Sequence, residues 1–294
     1  MIGMNRAKTW ILIAALGGLF VLVGSFWGTG GMVLGLGFAL IFNFSMYWFS
    51  DRIAIATTRS KPVTEAEAPQ QYRIVRDLAN RAQMPMPRVH VSDMVQPNAF
   101  ATGRNPEHAA VSATRGILEI LDERELRAVM AHELSHVANR DILISSIAAG
   151  IGMSITFLAR FAFWGMLFGG GRDDEGGSPI GFILALVLAP IAAAIIQMAV
   201  SRSREFQADE SGALLSLDPD GLASALRKLE EYSKRVPVPA SVSPAQAHLF
   251  IVNPFRGQQA AANLARLFSS HPATEDRITR LAEIKQRIGT GQLR

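Results

Sequence analysis

The stretch Asp122–Asp141, DERELRAVMAHELSHVANRD, decides how the rest of the chain is read. Asp122 stands three residues before Glu125, the spacing of a capping box that opens a helix. Leu126, Val129, Met130, Leu134 and Val137 then recur as one apolar stripe. On the same predicted helix stand His132, Glu133 and His136. Two imidazoles four residues apart face the same way on successive turns, a spacing that can bind one Zn²⁺. Glu133 projects beside them, where a carboxylate can take a proton from the attacking water and return it to a leaving amine. Two ordinary surface histidines are the plain alternative; the capped, amphipathic setting favours the metal.

The chain has no cysteine, which excludes disulfides, a thiolate nucleophile, iron–sulfur clusters and any sulfur-based zinc site. A catalytic zinc wants a third protein ligand and one open position. Position 142 is Ile, so the third histidine of the metzincin pattern is missing. The next carboxylates on a predicted helix come in residues 201–210, SRSREFQADE. Glu205 and Asp209 are four apart and share a face, which suits a third ligand plus a carboxylate that holds a ligand histidine in the correct tautomer. Glu210, Asp141, His248 and His271 are rival third ligands, and a solvated first turn is the plain alternative. The donor set also admits Co²⁺ or Mn²⁺.

Of the 294 residues, 49% are hydrophobic and 18% charged, against about 25% charged in soluble chains, which points to a membrane. The net charge of +4 is too small to argue for nucleic acid. Four apolar blocks, Trp10–Trp27, Met32–Phe49, Ile142–Phe168 and Ile180–Val200, read as transmembrane helices in two hairpins. A cleaved signal peptide is the alternative for the first. Gly28–Gly31 forms the first hairpin turn, and Gly31 and Gly35 have the spacing of close helix packing. Arg160 interrupts the third block and reads as a snorkelling or helix-pairing residue. Basic residues flank the blocks while GGGRDDEGGS joins the last two, so both termini and the segment Ser50–Asp141 are expected in the cytoplasm. The expected division is a first hairpin over 1–50, a cytoplasmic part over 51–141, a second hairpin over 142–200 and a second cytoplasmic part over 201–294. The two polar parts are each small and are expected to pack as one domain.

Within them, residues 68–82 read as an amphipathic helix. Residues 88–91, 98–103 and 109–112 alternate like strands, with Asn105–Pro106 in a turn between the last two, giving a small antiparallel sheet. His90 and His108 read as ordinary sheet histidines.

HELSHVANRD (132–141), EFQAD (205–209), NAFATG (98–103) and SSHPATEDRI (269–278) together resemble the HtpX family of membrane zinc metalloproteases, relatives of the CAAX prenyl endoproteases. The resemblance covers nearly the whole chain. It implies an α+β, mainly helical fold with four transmembrane helices and a zincin-like protease domain. It further implies one Zn²⁺ held by His132, His136 and Glu205, with Glu133 as general base. The implied setting is a bacterial inner membrane, with misfolded or damaged membrane proteins as substrates and an ATP-dependent membrane protease as companion in quality control. No GxxxxGK[ST] loop is present, so unfolding of long substrates falls to another protein.

Beside that resemblance, Asn98, Ala99, Phe100 and Ala101 read as an edge strand that pairs with an extended substrate backbone. An ordinary buried strand is the alternative. His271, before Pro272 and a helix over Ala273–Arg287, is a candidate for polarising the scissile carbonyl or stabilising the oxyanion. Asp141 is a candidate anchor for the end of the metal-binding helix, and Val236–Pro254 reads as an irregular loop over the cleft. His136 is six residues before Ile142 and Glu205 five after Val200, which sets the metal within about 10 Å of the membrane surface if both helices continue into the bilayer. A prenyl-protein endoprotease and a non-catalytic membrane chaperone or scaffold with a structural zinc are the competing functions.

Overall fold

Both halves of the Asp122 capping box form. Asp122 Oδ1 accepts from Glu125 N–H at 2.8 Å, and Glu125 Oε2 accepts from Asp122 N–H at 3.1 Å. The buried Glu125 carboxylate also accepts from Ser224 Oγ and Lys228 Nζ, each at 2.7 Å, which ties the cap to a helix far along the chain. In the computed structural model the described residues are 28–139, 202–236, 250–252 and 272–293, with isolated residues of the first apolar block. The third and fourth apolar blocks, Arg160, Asp141, His248, His271 and most of the loop from 236 to 254 lie outside them.

In chain order the elements are α1 (Gly28–Thr57), β1 (Ser60–Pro62), α2 (Pro69–Arg81), β2 (Arg88–Ser92), β3 (Ala99–Thr102), a 3₁₀ turn (Pro106–His108), β4 (Ala110–Thr114), α3 (Arg115–Ile120), α4 (Glu123–Ala138), α5 (Arg202–Ser216), α6 (Pro219–Arg235) and α7 (Thr274–Gly289). The fold is mainly helical with one small sheet. That sheet is mixed, in the order β1-β2-β4-β3, and so corrects the antiparallel expectation. β2 and β4 run parallel, with Val89 opposite Val111, while β1–β2 and β3–β4 are antiparallel. The chain leaves β2, crosses to the sheet edge as β3, and returns as β4 between them. All five residues of β4 (AVSAT) are buried, which suits a central strand of small side chains. Sequence spacing located the strands without marking this crossover, and it passed over β1, a three-residue strand with no alternation.

α4 is the central element. Nearly every residue from Glu125 to Val137 is buried, against α2, α5, α6 and β3. One apolar core takes Ile74, Leu78, Val111 and Leu134 from the first polar part and Ala213, Leu226 and Leu281 from the second. The approach of α5 to α4 is close enough to demand glycine: a Cβ on Gly212 would lie 2.8 Å from both N and Cα of His132.

Among the described residues one helix is long and apolar enough to cross a membrane, the 22 residues Gly28–Phe49 with mean hydropathy 1.6, of which only 6% are buried. Val33, Leu34, Leu40, Ile41 and Phe44 are exposed, a continuous apolar surface along the helix. Gly35 serves helix packing as its spacing predicts, since a Cβ there would stand 2.5 Å from Phe20 O, and Phe20 stacks edge-on against Phe38 and Phe42. α1 begins at Gly28 rather than after the GTGG turn, and it continues past the apolar block to Thr57. A hydroxyl chain then anchors it to the sheet: Thr58 Oγ1 to Ser60 Oγ at 2.7 Å and Ser60 Oγ to Ser112 Oγ at 2.8 Å.

Two substitutions measure these constraints by thermal unfolding in detergent. Gly212→Ala forces α5 off α4 and is expected to cost about 2 kcal/mol, a fall in Tm of roughly 4–8 °C. Asp122→Ala removes one capping bond and is expected to cost about 1 kcal/mol.

Candidate metal centre

His132 and His136 stand one helical turn apart on α4, with ring centroids 4.9 Å apart and planes nearly perpendicular at 88°. α5 brings Glu205 across them: its Oε2 lies 3.7 Å from His132 Nε2 and its Oε1 3.8 Å from His136 Nε2. One donor atom from each residue falls within 4.8 Å of the others, and all three residues are buried. Among the described residues no other group of three His, Asp or Glu side chains comes together in this way.

The tautomer of His132 follows from the residue behind it. Asp209 Oδ1 is 3.0 Å from His132 Nδ1, so Nδ1 carries the proton and donates, leaving the Nε2 lone pair directed toward Glu205. That buried Nε2 has no hydrogen-bond partner among the described residues. An acceptor nitrogen facing a carboxylate at 3.7 Å is unfavourable unless a cation lies between them. Two imidazoles and one carboxylate therefore fit a divalent metal, to which the described residues offer three donors.

Asp209 is in turn clamped by Arg277, whose Nη2 and Nε donate to its two carboxylate oxygens at 2.6 and 2.9 Å. Burial alone would raise the Asp209 pKa, but the adjacent Arg277 charge and the hydrogen bonds from His132 and Arg277 bring it down to about 2. Arg277 is 1% exposed and also donates to Ile251 O at 3.3 Å. Sequence reasoning did not single it out. The available signal was its place at the start of a buried helical stripe with Leu281 and Ile284, where arginine is rare.

Glu133 sits beside the cluster, 6% exposed, with Oε2 accepting from Ala101 N–H at 3.0 Å. The strand proposed to meet substrate divides: Asn98, Ala99 and Phe100 are buried, and Ala101 alone is half-buried. Asn98 is structural, since its Oδ1 accepts from Ile251 N–H at 3.2 Å and its N–H donates to Thr114 Oγ1 at 2.8 Å. Of the rival ligands, Glu210 turns toward Arg287, 3.6 Å away on α7. His90 lies within β2 and His108 caps back onto Asn105, as ordinary histidines of the sheet region.

Residues 65–285 match the family model of peptidase family M48. The protease HtpX homologue of Ralstonia pickettii strain 12J is 54% identical over 292 residues, covering 98% of each chain. Those of Ralstonia nicotianae and Syntrophobacter fumaroxidans are 53% and 51% identical, over 96% and 94% of this chain and 97% and 98% of theirs. The crystal structure of Ste24p from S. mikatae aligns with a TM-score of 0.50 at 21% identity, covering 95% of this chain and 65% of that one, a likeness of fold. Matched by protease HtpX homologues along nearly its whole length, the chain belongs to peptidase family M48 and is a membrane metalloprotease.

Proposed function

We propose that the protein is a zinc endopeptidase that cuts misfolded or damaged membrane proteins near the cytoplasmic surface of a bacterial inner membrane. The observation that carries this reading is the buried His132–His136–Glu205 cluster with Glu133 alongside. Zinc bound there would supply a Lewis acid and an acidified water. Glu133 would take the proton of the attacking water and pass it to the leaving amine nitrogen. Asp209 orients His132, and Arg277 keeps Asp209 ionised and in place. The cluster presents three donors among the described residues, which favours an open catalytic site over the closed four-ligand site of a scaffold.

The membrane setting rests on α1. The span ends at Tyr47, Trp48 and Phe49, aromatic residues suited to a headgroup layer. Arg104, two residues beyond β3, lies over the Trp48 ring with 4.7 Å between guanidinium carbon and ring centroid. This contact joins β3, and with it Ala101 beside Glu133, to the aromatic end of α1, which supports the reading that substrates are cut close to the membrane surface. The segments carrying the other three apolar blocks complete the proposed two-hairpin anchor, with both termini and the protease parts cytoplasmic. His271 and Asp141 keep their proposed roles at the scissile carbonyl and at the end of the metal helix. An ATP-dependent membrane protease would serve as companion for substrates that need unfolding.

Detergent-purified protein is expected to hold one zinc per chain and to cleave casein, with activity lost to a chelator and restored by zinc. Glu133→Gln should lower kcat by at least about 100-fold with zinc retained. Glu205→Ala should lose both; undiminished zinc and cleavage would move the third ligand elsewhere. Asp209→Ala is expected to weaken zinc binding about 10- to 100-fold by chelator competition. Arg277→Met strands a buried carboxylate and should cost about 3–5 kcal/mol, read as a fall in Tm.

A further inference from the structure

Glu133 is held at its head as well as by its backbone. Its Oε2 accepts from the Ala101 N–H at 3.0 Å. The donor belongs to β3, the edge strand of the sheet. Backbone groups alternate in direction along an antiparallel strand. Asn98 O accepts from Thr114 N–H at 2.9 Å, which turns the even positions of this segment toward β4. Phe100, opposite Ser112, falls on that ladder side; Ala101, opposite Val111, faces away from it. The Ala101 N–H is thus an edge group outside the β3–β4 ladder, and it is aimed at α4.

A glutamate side chain has several rotamers, and a general base must offer one oxygen to one water. A charge-assisted hydrogen bond to a backbone group removes that freedom, because the donor is fixed by the sheet and cannot rotate away. We propose that the Ala101 N–H is a positioning group for Glu133, holding Oε2 on the strand side so that Oε1 is the oxygen presented to the attacking water. The proposal rests on the reading of Glu133 as general base. It makes the contribution of NAFATG to catalysis a main-chain one, independent of the alanine side chain. It also withdraws this N–H from pairing with a substrate strand.

Two experiments test it. The first reads amide hydrogen exchange at Ala101 by NMR, with Phe100 as internal reference. Glu133→Ala should accelerate exchange at Ala101 by roughly tenfold or more and leave Phe100 unchanged; unchanged exchange at Ala101 overturns the proposal. The second removes the N–H alone, by replacing residue 101 with its α-hydroxy analogue in the full-length protein. Ala101→Pro removes the same N–H without breaking a β3–β4 ladder bond and serves as a second variant, with its Tm and zinc content checked against the wild type. Both should lower kcat for peptide cleavage about 10- to 100-fold, with KM and zinc content held. A rise in KM with kcat unchanged would mean that the N–H pairs with substrate, and no change in either would mean that it does nothing; each overturns the proposal. Cleavage by Glu133→Gln would instead remove the general-base reading while leaving the exchange result intact, so the two failures are distinguishable.

Discussion

The contact on which the site depends is the crossing of α5 over α4 at His132. Because Gly212 has no side chain, the two helix backbones meet there, and the preceding turns of α5 carry Asp209 and Glu205 onto the histidines. One helix thus supplies both the carboxylate that completes the metal cluster and the one that sets the tautomer of His132. The arrangement concentrates negative charge in a buried place: Glu133, Glu205 and Asp209 all lie within the core. Arg277 answers Asp209 with a fully buried bidentate ion pair, and its charge also acts on Glu205 and Glu133. Glu205 also faces two imidazole nitrogens, at 3.7 and 3.8 Å, an environment that a divalent cation would satisfy.

The sheet couples this centre to the apolar helix α1. α1 runs out of its apolar span into Thr58 and β1, the hydroxyls of Ser60 and Ser112 join β1 to β4, and β4 pairs with β3. Ala101 on β3 touches Glu133, and Arg104 just beyond it stacks on Trp48 of α1. A continuous path of strand pairing therefore separates the bilayer end of α1 from the proposed general base by a few residues. That path joins the strand beside Glu133 to the aromatic end of the apolar span of α1.

Much of this was legible in the sequence where local rules govern. The capping box opened α4 at Asp122 as its spacing predicts, and the i, i+4 histidines and the i, i+4 carboxylates each occupied one helix face. Gly35 packed against a neighbouring helix because small residues permit close approach, a short-range rule. Long-range placement was less visible. Alternation marked β2, β3 and β4 as strands but carries nothing about which lie side by side, and β4 inserted between the other two to bury its small residues on both faces. Asn98, Ala99 and Phe100 belong to an edge strand as read, but their side chains are buried and Asn98 binds Ile251, a contact from a segment far along the chain. Arg277 was hidden because a single arginine in an amphipathic helix reads as solvated until its partner, Asp209, is known. The Ala101 N–H could not be found at all, since backbone donors leave no mark in the order of side chains.

The central claim is that two imidazoles from α4 and one carboxylate from α5 hold a catalytic zinc. X-ray absorption at the zinc edge, on detergent-purified protein loaded with one equivalent, tests it most directly. The account predicts a four-coordinate nitrogen and oxygen shell near 2.0–2.1 Å with the outer scattering of two imidazoles in the wild type, and no such shell in Glu205→Ala, which fails to retain the metal. A shell with other than two imidazoles, or one unchanged by Glu205→Ala, would contradict it.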